Sequence, residues 1–160
     1  MIRNARMSDV KAIYDLLAYF AKQELLLGRS LSSLYDQLRD FKVYTVLDNG
    51  EMGGGQGKEI LAGAAALHVC WENLAEVRSL VVASQFQGTG IGAALVNSCL
   101  DEAETLGITR IFTLTYQAGF FNKFGFKPID KNELPHKIWS DCLQCPKFPD
   151  CNEEALIWEN

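Results

Sequence analysis

The sequence lacks an excess of positive charge and has no long hydrophobic run. Its 15 lysines and arginines are outnumbered by 20 aspartates and glutamates, which gives a net charge of −5 over 160 residues. Such a chain has no field that would gather phosphate backbones or anionic lipids, so neither nucleic acid nor a membrane is an expected partner. No apolar stretch approaches the roughly 20 residues of a membrane span. The opening Met-Ile-Arg-Asn-Ala-Arg also has no signal-peptide core, so we expect a cytoplasmic protein.

The cysteines are odd in number, which argues against a disulfide framework in a chain that is not expected to be exported. They are Cys70, Cys99, Cys142, Cys145 and Cys151. The last three would give a four-ligand zinc site with His136, because Cys142-x-x-Cys145 has the usual knuckle spacing. No second Cys-x-x-Cys pair supports a metal. We therefore favour reduced thiols over zinc, with a redox-sensing pair as a weaker alternative.

Apolar periodicity predicts one domain of strands and helices that spans residues 1–160. Strands are expected after Gly125 and at residues 2–6, 43–47, 60–69, 75–83, 109–115 and 154–158. Later helices are expected at 91–106, ended by Gly107, and at 120–124. The order β-α-α-β-β-β-α-β-α-β indicates a mixed sheet with helices on its faces.

Two amphipathic helices are expected before the second strand. Ser8 is the predicted N-cap of the first, and the apolar face of that helix holds Val10, Ile13, Leu16, Leu17 and Phe20. The second helix is predicted to carry Leu31, Leu34, Tyr35, Leu38 and Phe41. A loop that contains Arg29 joins the two helices.

Two glycine-rich segments suggest a phosphate loop. A strand pattern follows residues 49–57, so that segment is expected to be a flexible hairpin tip. The other segment, Gln87-Gly88-Thr89-Gly90-Ile91-Gly92, follows an apolar strand and opens directly into a helix pattern. Glycine lets a backbone approach a ligand closely, and the first N–H groups of a helix attract an anion. A pyrophosphate is therefore the expected ligand of the second segment.

Other kinds of glycine loop fit Gln87–Gly92 less well. A Rossmann fingerprint needs a different glycine spacing, the first strand of a βαβ unit and an acidic residue about 20 positions later. A Walker loop needs Gly-Lys-Ser/Thr, which is absent. A plain tight turn is the remaining alternative, and the strand–loop–helix context argues against it.

Gln87-Gly88-Thr89-Gly90-Ile91-Gly92 resembles the Gln/Arg-x-x-Gly-x-Gly/Ala motif of the GNAT acetyltransferase superfamily, and Phe120–Phe126 matches that family's layout. The resemblance implies an α/β (α+β) fold: a single GNAT-like domain whose mixed central sheet is splayed between strands four and five, with helices on both faces. It also implies acetyl-CoA as the cosubstrate. Segments around Arg29, Glu76 and Pro135 are similar to amino-acid N-acetyltransferases of the N-acetylglutamate synthase type.

The resemblance also assigns the acetyl-CoA site. In the proteins that this chain resembles, the thioester lies in the gap between the fourth and fifth strands. Backbone groups of Leu80 and Val82 would then pair with the pantetheine arm. The residues expected to bind the cofactor are Leu80, Val81, Val82, Gln87, Gly88, Thr89, Gly90, Ile91, Gly92 and Ala93.

Two residues are expected to serve catalysis. Glu76 matches the glutamate that many family members use as general base, and its alternative is a surface carboxylate paired with Arg78. Many relatives have tyrosine where this chain has Phe121, so Tyr116 is the nearest general acid. Ordinary aromatic packing is an equally good interpretation of Tyr116. A thiolate with a pKa of about 8.5 can also leave without an acid.

The acceptor site is expected to be cationic, because an amino acid such as glutamate brings two carboxylates and arginine binds carboxylates bidentately. The predicted substrate-binding residues are Arg29, Ser30 and Arg78, with Lys22 and Lys137 as weaker candidates. A solvated arginine is the alternative for each of the two arginines.

The resulting hypothesis is an acetyl-CoA-dependent N-acetyltransferase that acetylates the α-amino group of a small amino acid, with L-glutamate as the leading acceptor. That reaction would open arginine biosynthesis. The alternatives are a GNAT enzyme for a polyamine, a drug amine or a protein amino terminus, and a non-catalytic acyl-CoA-binding module. The sequence leaves the oligomeric state open, a homodimer included.

Overall fold

The computed structural model describes residues 1–48, 57–135 and 153–160. Its helices are α1 (Val10–Ala21), α2 (Leu31–Asp36), α3 (Ile91–Thr105) and α4 (Ala118–Asn122). Its strands are β1 (Ile2–Asn4), β2 (Phe41–Asp48), β3 (Lys58–Trp71), β4 (Leu74–Val82), β5 (Arg110–Thr115), β6 (Lys127–Pro128) and β7 (Glu154–Glu159). The order of these elements follows the predicted one, with β6 and β7 as two separate strands after α4.

The strands form a mixed sheet in the order β1-β2-β3-β4-β5-β7-β6. Both neighbours of β2 are antiparallel to it, and Val43 lies opposite Arg3 on one side and Ala64 on the other. β4 and β5 are parallel, whereas β7 is antiparallel to both β5 and β6. The predicted α/β fold class with a mixed sheet is thereby confirmed.

The chain divides into two compact units, and the first comprises Met1–Ala66 and Ser79–Asp101. Its core is built on α1, where apolar residues recur every three or four positions and therefore share one face. The buried residues of this core are Val10, Ile13, Leu17, Phe20, Leu34, Phe41, Val43, Ala64, Ala66 and Val81. The predicted apolar face of the first helix is confirmed, with Leu16 only partly buried.

The second unit comprises Leu67–Arg78 and Glu102–Asn160. Its buried cluster contains Leu74, Phe112, Leu134, Ala155 and Ile157. The register of β5 and β7 places Phe112 directly opposite Ile157, so the two side chains pack as a cross-strand pair. The predicted closing strand at residues 154–158 is confirmed as β7.

Gly107 ends α3 as the sequence predicted. Its φ is +77°, a value that costs glycine little, and the N–H of Ile108 returns to the carbonyl oxygen of Ala103 at 2.8 Å. The chain then enters β5 at Arg110.

Two expectations for the first 41 residues were wrong. Ser8 lies inside a short 3₁₀ turn at Met7–Asp9, and α1 begins only at Val10. The second helix ends at Asp36, because Phe41 joins β2, where its carbonyl oxygen accepts a hydrogen bond from the N–H of Ala5. Sheet pairing thus overrides the helical spacing there. The predicted hairpin tip at 49–57 lies, except for Gly57, outside the described residues.

Candidate active site

The parallel ladder of β4 and β5 is interrupted in the middle of β4. Its registered pairs are Ala75 with Ile111 and Glu76 with Phe112. On the β5 side, the described ladder ends with the pair at Glu76. The hydroxyl of Thr113 donates to the carbonyl oxygen of Val77 at 2.8 Å instead. A side-chain hydrogen bond from Thr113 therefore replaces the backbone pairing after Glu76. The resemblance to the family predicted that strands four and five separate at this place.

Glu76 and Arg78 form a buried ion pair on β4. They are two residues apart on one strand, so their side chains point to the same side. Each residue is only 8% exposed, and Nη1 of Arg78 donates to Oε1 of Glu76 at 3.2 Å. The pairing considered for Glu76 is therefore present, but it is buried rather than on the surface. The negative charge of Glu76 is therefore compensated by the guanidinium of Arg78, and the pair is shielded from solvent.

Arg29 lies against the carboxyl-terminal part of β4. Its Nε donates to the hydroxyl oxygen of Ser79 at 3.2 Å. Its Nη1 lies 3.5 Å from the hydroxyl oxygen of Ser33 and 3.4 Å from Oε1 of Gln37. These three contacts restrain the orientation of the guanidinium.

Ser79 has a left-handed backbone, with a φ of +56°. A side chain other than glycine, asparagine or aspartate seldom adopts this conformation, and strained residues of this kind concentrate at functional sites. Ser79 could not be predicted from the sequence, since a serine inside a β-rich pattern does not indicate a positive φ.

The glycine loop leads from β4 into α3. Gly88 and Gly90 have φ values of +79° and +86°, and a Cβ at either position would meet no atom within 4 Å. The side-chain amide of Gln87 donates to the carbonyl oxygen of Val82 at 3.1 Å, which ties the loop to the end of the strand. At the start of the helix, the N–H of Ala94 donates to the carbonyl oxygen of Gly90 at 3.0 Å.

The loop therefore offers what an anionic ligand needs. The N–H groups of Ile91, Gly92 and Ala93 precede the first intrahelical bond and carry the positive end of the helix dipole. The open space beside the two glycines lets a pyrophosphate approach the backbone. The side chains of Val81 and Ile91 are buried, 4% and 6% exposed, so these two residues would contribute backbone groups only.

Ser30 caps α2, because its hydroxyl oxygen accepts the N–H of Ser33 at 3.1 Å. An open depression of about 490 Å³ lies beside that cap, within the first unit. It is lined by Tyr14, Ala18, Ala21, Lys22, Gly28, Arg29 and Ser30. Two of the predicted substrate-binding residues and the weaker candidate Lys22 thus share one surface.

Tyr116, the proposed general acid, follows β5 directly and is partly buried. Phe121, which stands where many relatives have tyrosine, is 3% exposed. Its ring packs edge-to-face against Phe120 and Phe126 at centroid distances of 5.3 Å. Phe121 therefore serves the packing of the second unit.

The zinc hypothesis falls on residues that the structure does not describe, since His136, Cys142, Cys145 and Cys151 lie within 136–152. Among the described residues, no group of histidine, cysteine, aspartate and glutamate side chains is arranged to hold a metal. Cys70, which is partly buried, and Cys99, which is buried, are reduced cysteines. None of the helices in residues 1–48, 57–135 and 153–160 has the length and apolar character of a membrane span.

Comparison with known proteins agrees with this geometry. Residues 11–126 match the model of the acetyltransferase (GNAT) family. The chain is 35% identical to an uncharacterized N-acetyltransferase of Chlorobaculum tepidum, over 98% of this chain and 94% of that protein. It is 34% identical to an amino-acid acetyltransferase of Mycobacterium tuberculosis, over 88% of this chain and 76% of that protein.

Solved structures that contain coenzyme A are also similar to this chain. N-acetylglutamate synthase from Neisseria gonorrhoeae, crystallised with coenzyme A and N-acetyl-glutamate, superposes with a TM-score of 0.80 and 26% identity. The match covers 99% of this chain and 34% of that one. Together with the loop at Gln87–Gly92, these similarities establish that the chain belongs to the acetyltransferase (GNAT) family and is an N-acetyltransferase whose cosubstrate is acetyl-CoA.

Proposed function

We propose that the enzyme acetylates the α-amino group of a small amino acid and that L-glutamate is its preferred acceptor. The similarity to an amino-acid acetyltransferase supports the class of acceptor. The similarity to a synthase crystallised with N-acetyl-glutamate supports glutamate within that class. The product would be N-acetyl-L-glutamate, and the reaction would open arginine biosynthesis.

The observation that carries this proposal is the setting of Arg29. Its guanidinium is held beside β4 by hydrogen bonds to Ser79 and Gln37, and Arg29 lines an open depression in the first unit. A guanidinium held in this way suits a carboxylate, because it donates two parallel hydrogen bonds in a fixed plane. We assign the binding of acceptor carboxylates to Arg29, Ser30 and Arg78.

Glu76 is the proposed general base. An ammonium group must lose a proton before its nitrogen can attack the thioester carbonyl, and a carboxylate can take that proton directly or through one water. The nitrogen then bonds to the carbonyl carbon, and the carbon–sulfur bond breaks to release a thiolate. The proposed proton donor to this thiolate is Tyr116, although a thiolate can also leave unprotonated.

The acetyl-CoA site is proposed to follow β4 into the glycine loop. Backbone groups of Leu80, Val81 and Val82 would bind the pantetheine arm. Gln87, the following loop residues and the first turn of α3 to Ala93 would bind the pyrophosphate. The interrupted ladder after Glu76 supports this route, because an unpaired strand edge can pair with an amide-bearing ligand.

Thiol release from acetyl-CoA, measured against all twenty amino acids, tests the acceptor. We expect L-glutamate to give the highest kcat/KM. Turnover of polyamines in place of amino acids would overturn the acceptor proposal and leave the acetyltransferase activity standing, because a polyamine site should be acidic.

Arg29→Ala tests the residue that carries the proposal. We expect the KM for L-glutamate to rise about 10- to 100-fold, the effect of losing a charge-assisted pair of hydrogen bonds. The KM for acetyl-CoA should stay near the wild-type value. Arg39→Ala is the matched control, since Arg39 is exposed. An unchanged KM for L-glutamate in Arg29→Ala would remove Arg29 from the acceptor site.

A further inference from the structure

Ser79 combines a strained backbone with a contact to the side chain that is proposed to bind the acceptor. Its φ of +56° places an L-residue in the left-handed region in the middle of β4. Its hydroxyl oxygen accepts the Nε–H of Arg29 at 3.2 Å, across 50 positions of sequence. Both residues are partly buried and belong to the first unit.

The bond at Nε determines how the guanidinium is oriented. The guanidinium is planar, so a fixed Nε–H direction also fixes the directions in which its Nη N–H groups point. The Nη1 contacts with Ser33 and Gln37 add a second restraint from α2 and its carboxyl-terminal end. An arginine side chain has about 2 kcal/mol of rotamer entropy, so restraint before binding lowers the cost of holding a carboxylate.

We propose that Ser79 is a positioning residue for acceptor binding: its hydroxyl fixes Arg29 in the orientation that receives the acceptor's carboxylate. This inference rests on the proposed role of Arg29 in binding the acceptor. It goes beyond that role, because it assigns a function to the unusual backbone of Ser79. The left-handed conformation is what aims this hydroxyl at Nε of Arg29.

Three substitutions at Ser79 distinguish the effect of its hydroxyl from the effect of its backbone conformation. Ser79→Gly removes the hydroxyl and suits a positive φ. Ser79→Ala removes the hydroxyl and keeps the strain. Ser79→Asn tolerates the left-handed region and offers an amide oxygen as a new acceptor. We expect the glycine and alanine variants to raise the KM for L-glutamate by about 5- to 20-fold, and the asparagine variant to raise it less.

A purely structural role for Ser79 would rank the three variants differently by their KM for L-glutamate. In that case the KM for L-glutamate would follow thermal stability, so that alanine impairs binding and glycine does not. That result would overturn the proposal. In all three variants the proposal also requires kcat and the KM for acetyl-CoA to stay within about twofold of wild type, because the hydroxyl does not touch the reacting groups.

A double-mutant cycle with Arg29→Lys tests the coupling directly. Lysine keeps the charge but has no Nε–H, so Ser79→Gly should change the KM for L-glutamate less than about twofold in that background. Equal effects of Ser79→Gly in both backgrounds would refute the inference.

Turnover of L-glutamate by the wild-type enzyme distinguishes a failure of the proposed acceptor from a failure of the proposed role of Ser79. If the enzyme does not turn over L-glutamate, the proposed acceptor is wrong, and the same cycle is measured with the amino acid that the twenty-member panel identifies. If it turns over L-glutamate and the cycle shows no coupling, the proposed function stands and the role of Ser79 fails.

Discussion

Glu76 is 8% exposed, and its carboxylate accepts a hydrogen bond from Arg78. Glutamine preserves the shape and the acceptor oxygen at this position but cannot take a proton. We expect Glu76→Gln to lower kcat by about 10²- to 10⁴-fold, the usual contribution of a general base. The affinity for acetyl-CoA, measured by calorimetry, should be retained and would show that the variant is folded.

The matched control for that substitution is Glu72→Gln, because Glu72 is exposed in the turn that precedes the same strand. Its kcat should equal that of the wild type. Unimpaired turnover in Glu76→Gln would leave Glu76 with a structural role as the partner of Arg78. Proton removal would then have to proceed through water or another group.

Gly63 on β3 has no room for a side chain. A Cβ there would lie 2.8 Å from the carbonyl oxygen of Val81 and 3.1 Å from Cδ1 of Leu95. We expect Gly63→Ala to lower the free energy of unfolding by about 1–3 kcal/mol, because a backbone oxygen cannot move aside without disturbing the strand. Chemical denaturation would measure this, with Gly119→Ala as control, since a Cβ at Gly119 meets nothing within 4 Å. Equal stability of the two variants would contradict the close packing at Gly63.

At the scale of elements, the glycine loop and α3 act as one anion-binding unit. Gly90→Ala places a Cβ on a backbone with a φ of +86° at the start of the helix. Gly107→Ala imposes similar strain at the other end, with a φ of +77° and the same open surroundings. Each of the two substitutions should lower the free energy of unfolding by about 1–2 kcal/mol. Only Gly90→Ala should raise the KM for acetyl-CoA, which steady-state kinetics would show, and an equal rise in both variants would refute a local role for the loop.

The elements that the sequence predicted well are those whose signal is local. The face of α1 follows from its spacing, and the loop at Gln87–Gly92 follows from glycines between a strand and a helix. Phe41 has helical spacing, but it pairs with Ala66 of β3, 25 positions away in the sequence, and this pairing places it in a strand. The hydrogen bond from Arg29 to Ser79 could not be predicted from the sequence either. It joins the loop before α2 to β4 across 50 positions within the first unit.

At the scale of the whole molecule, stability depends on a charged network that joins β1 to the 3₁₀ turn before α1 and to β3. Arg3 donates to both carboxylate oxygens of Asp9, at 2.7 and 3.0 Å, and to Glu59 at 2.9 Å. The hydrogen bonds from Arg3 hold the pKa of Asp9 below its usual value. Hydrogen bonds from Arg3 and Thr45 do the same for the pKa of Glu59. Hydrogen bonds to Asp9 and Glu59 raise the pKa of Arg3, which stays charged at all accessible pH values.

Acid should therefore destabilise the fold through these two carboxyl groups. A lowered pKa in the folded state means that the unfolded chain binds more protons, so their contribution is complete above roughly pH 5 and is lost as the pH falls through the folded values. We expect Arg3→Gln to lower the free energy of unfolding at pH 7 by the small amount that is typical of a partly exposed network. Urea denaturation at several pH values should show this difference shrinking toward pH 3, while Arg39→Gln, at an exposed site, matches the wild type throughout. A difference between wild type and Arg3→Gln that stays constant down to about pH 3 would mean that Arg3 stabilises the fold through its packing and its bond to the backbone of Asn4, and not through the two carboxylates.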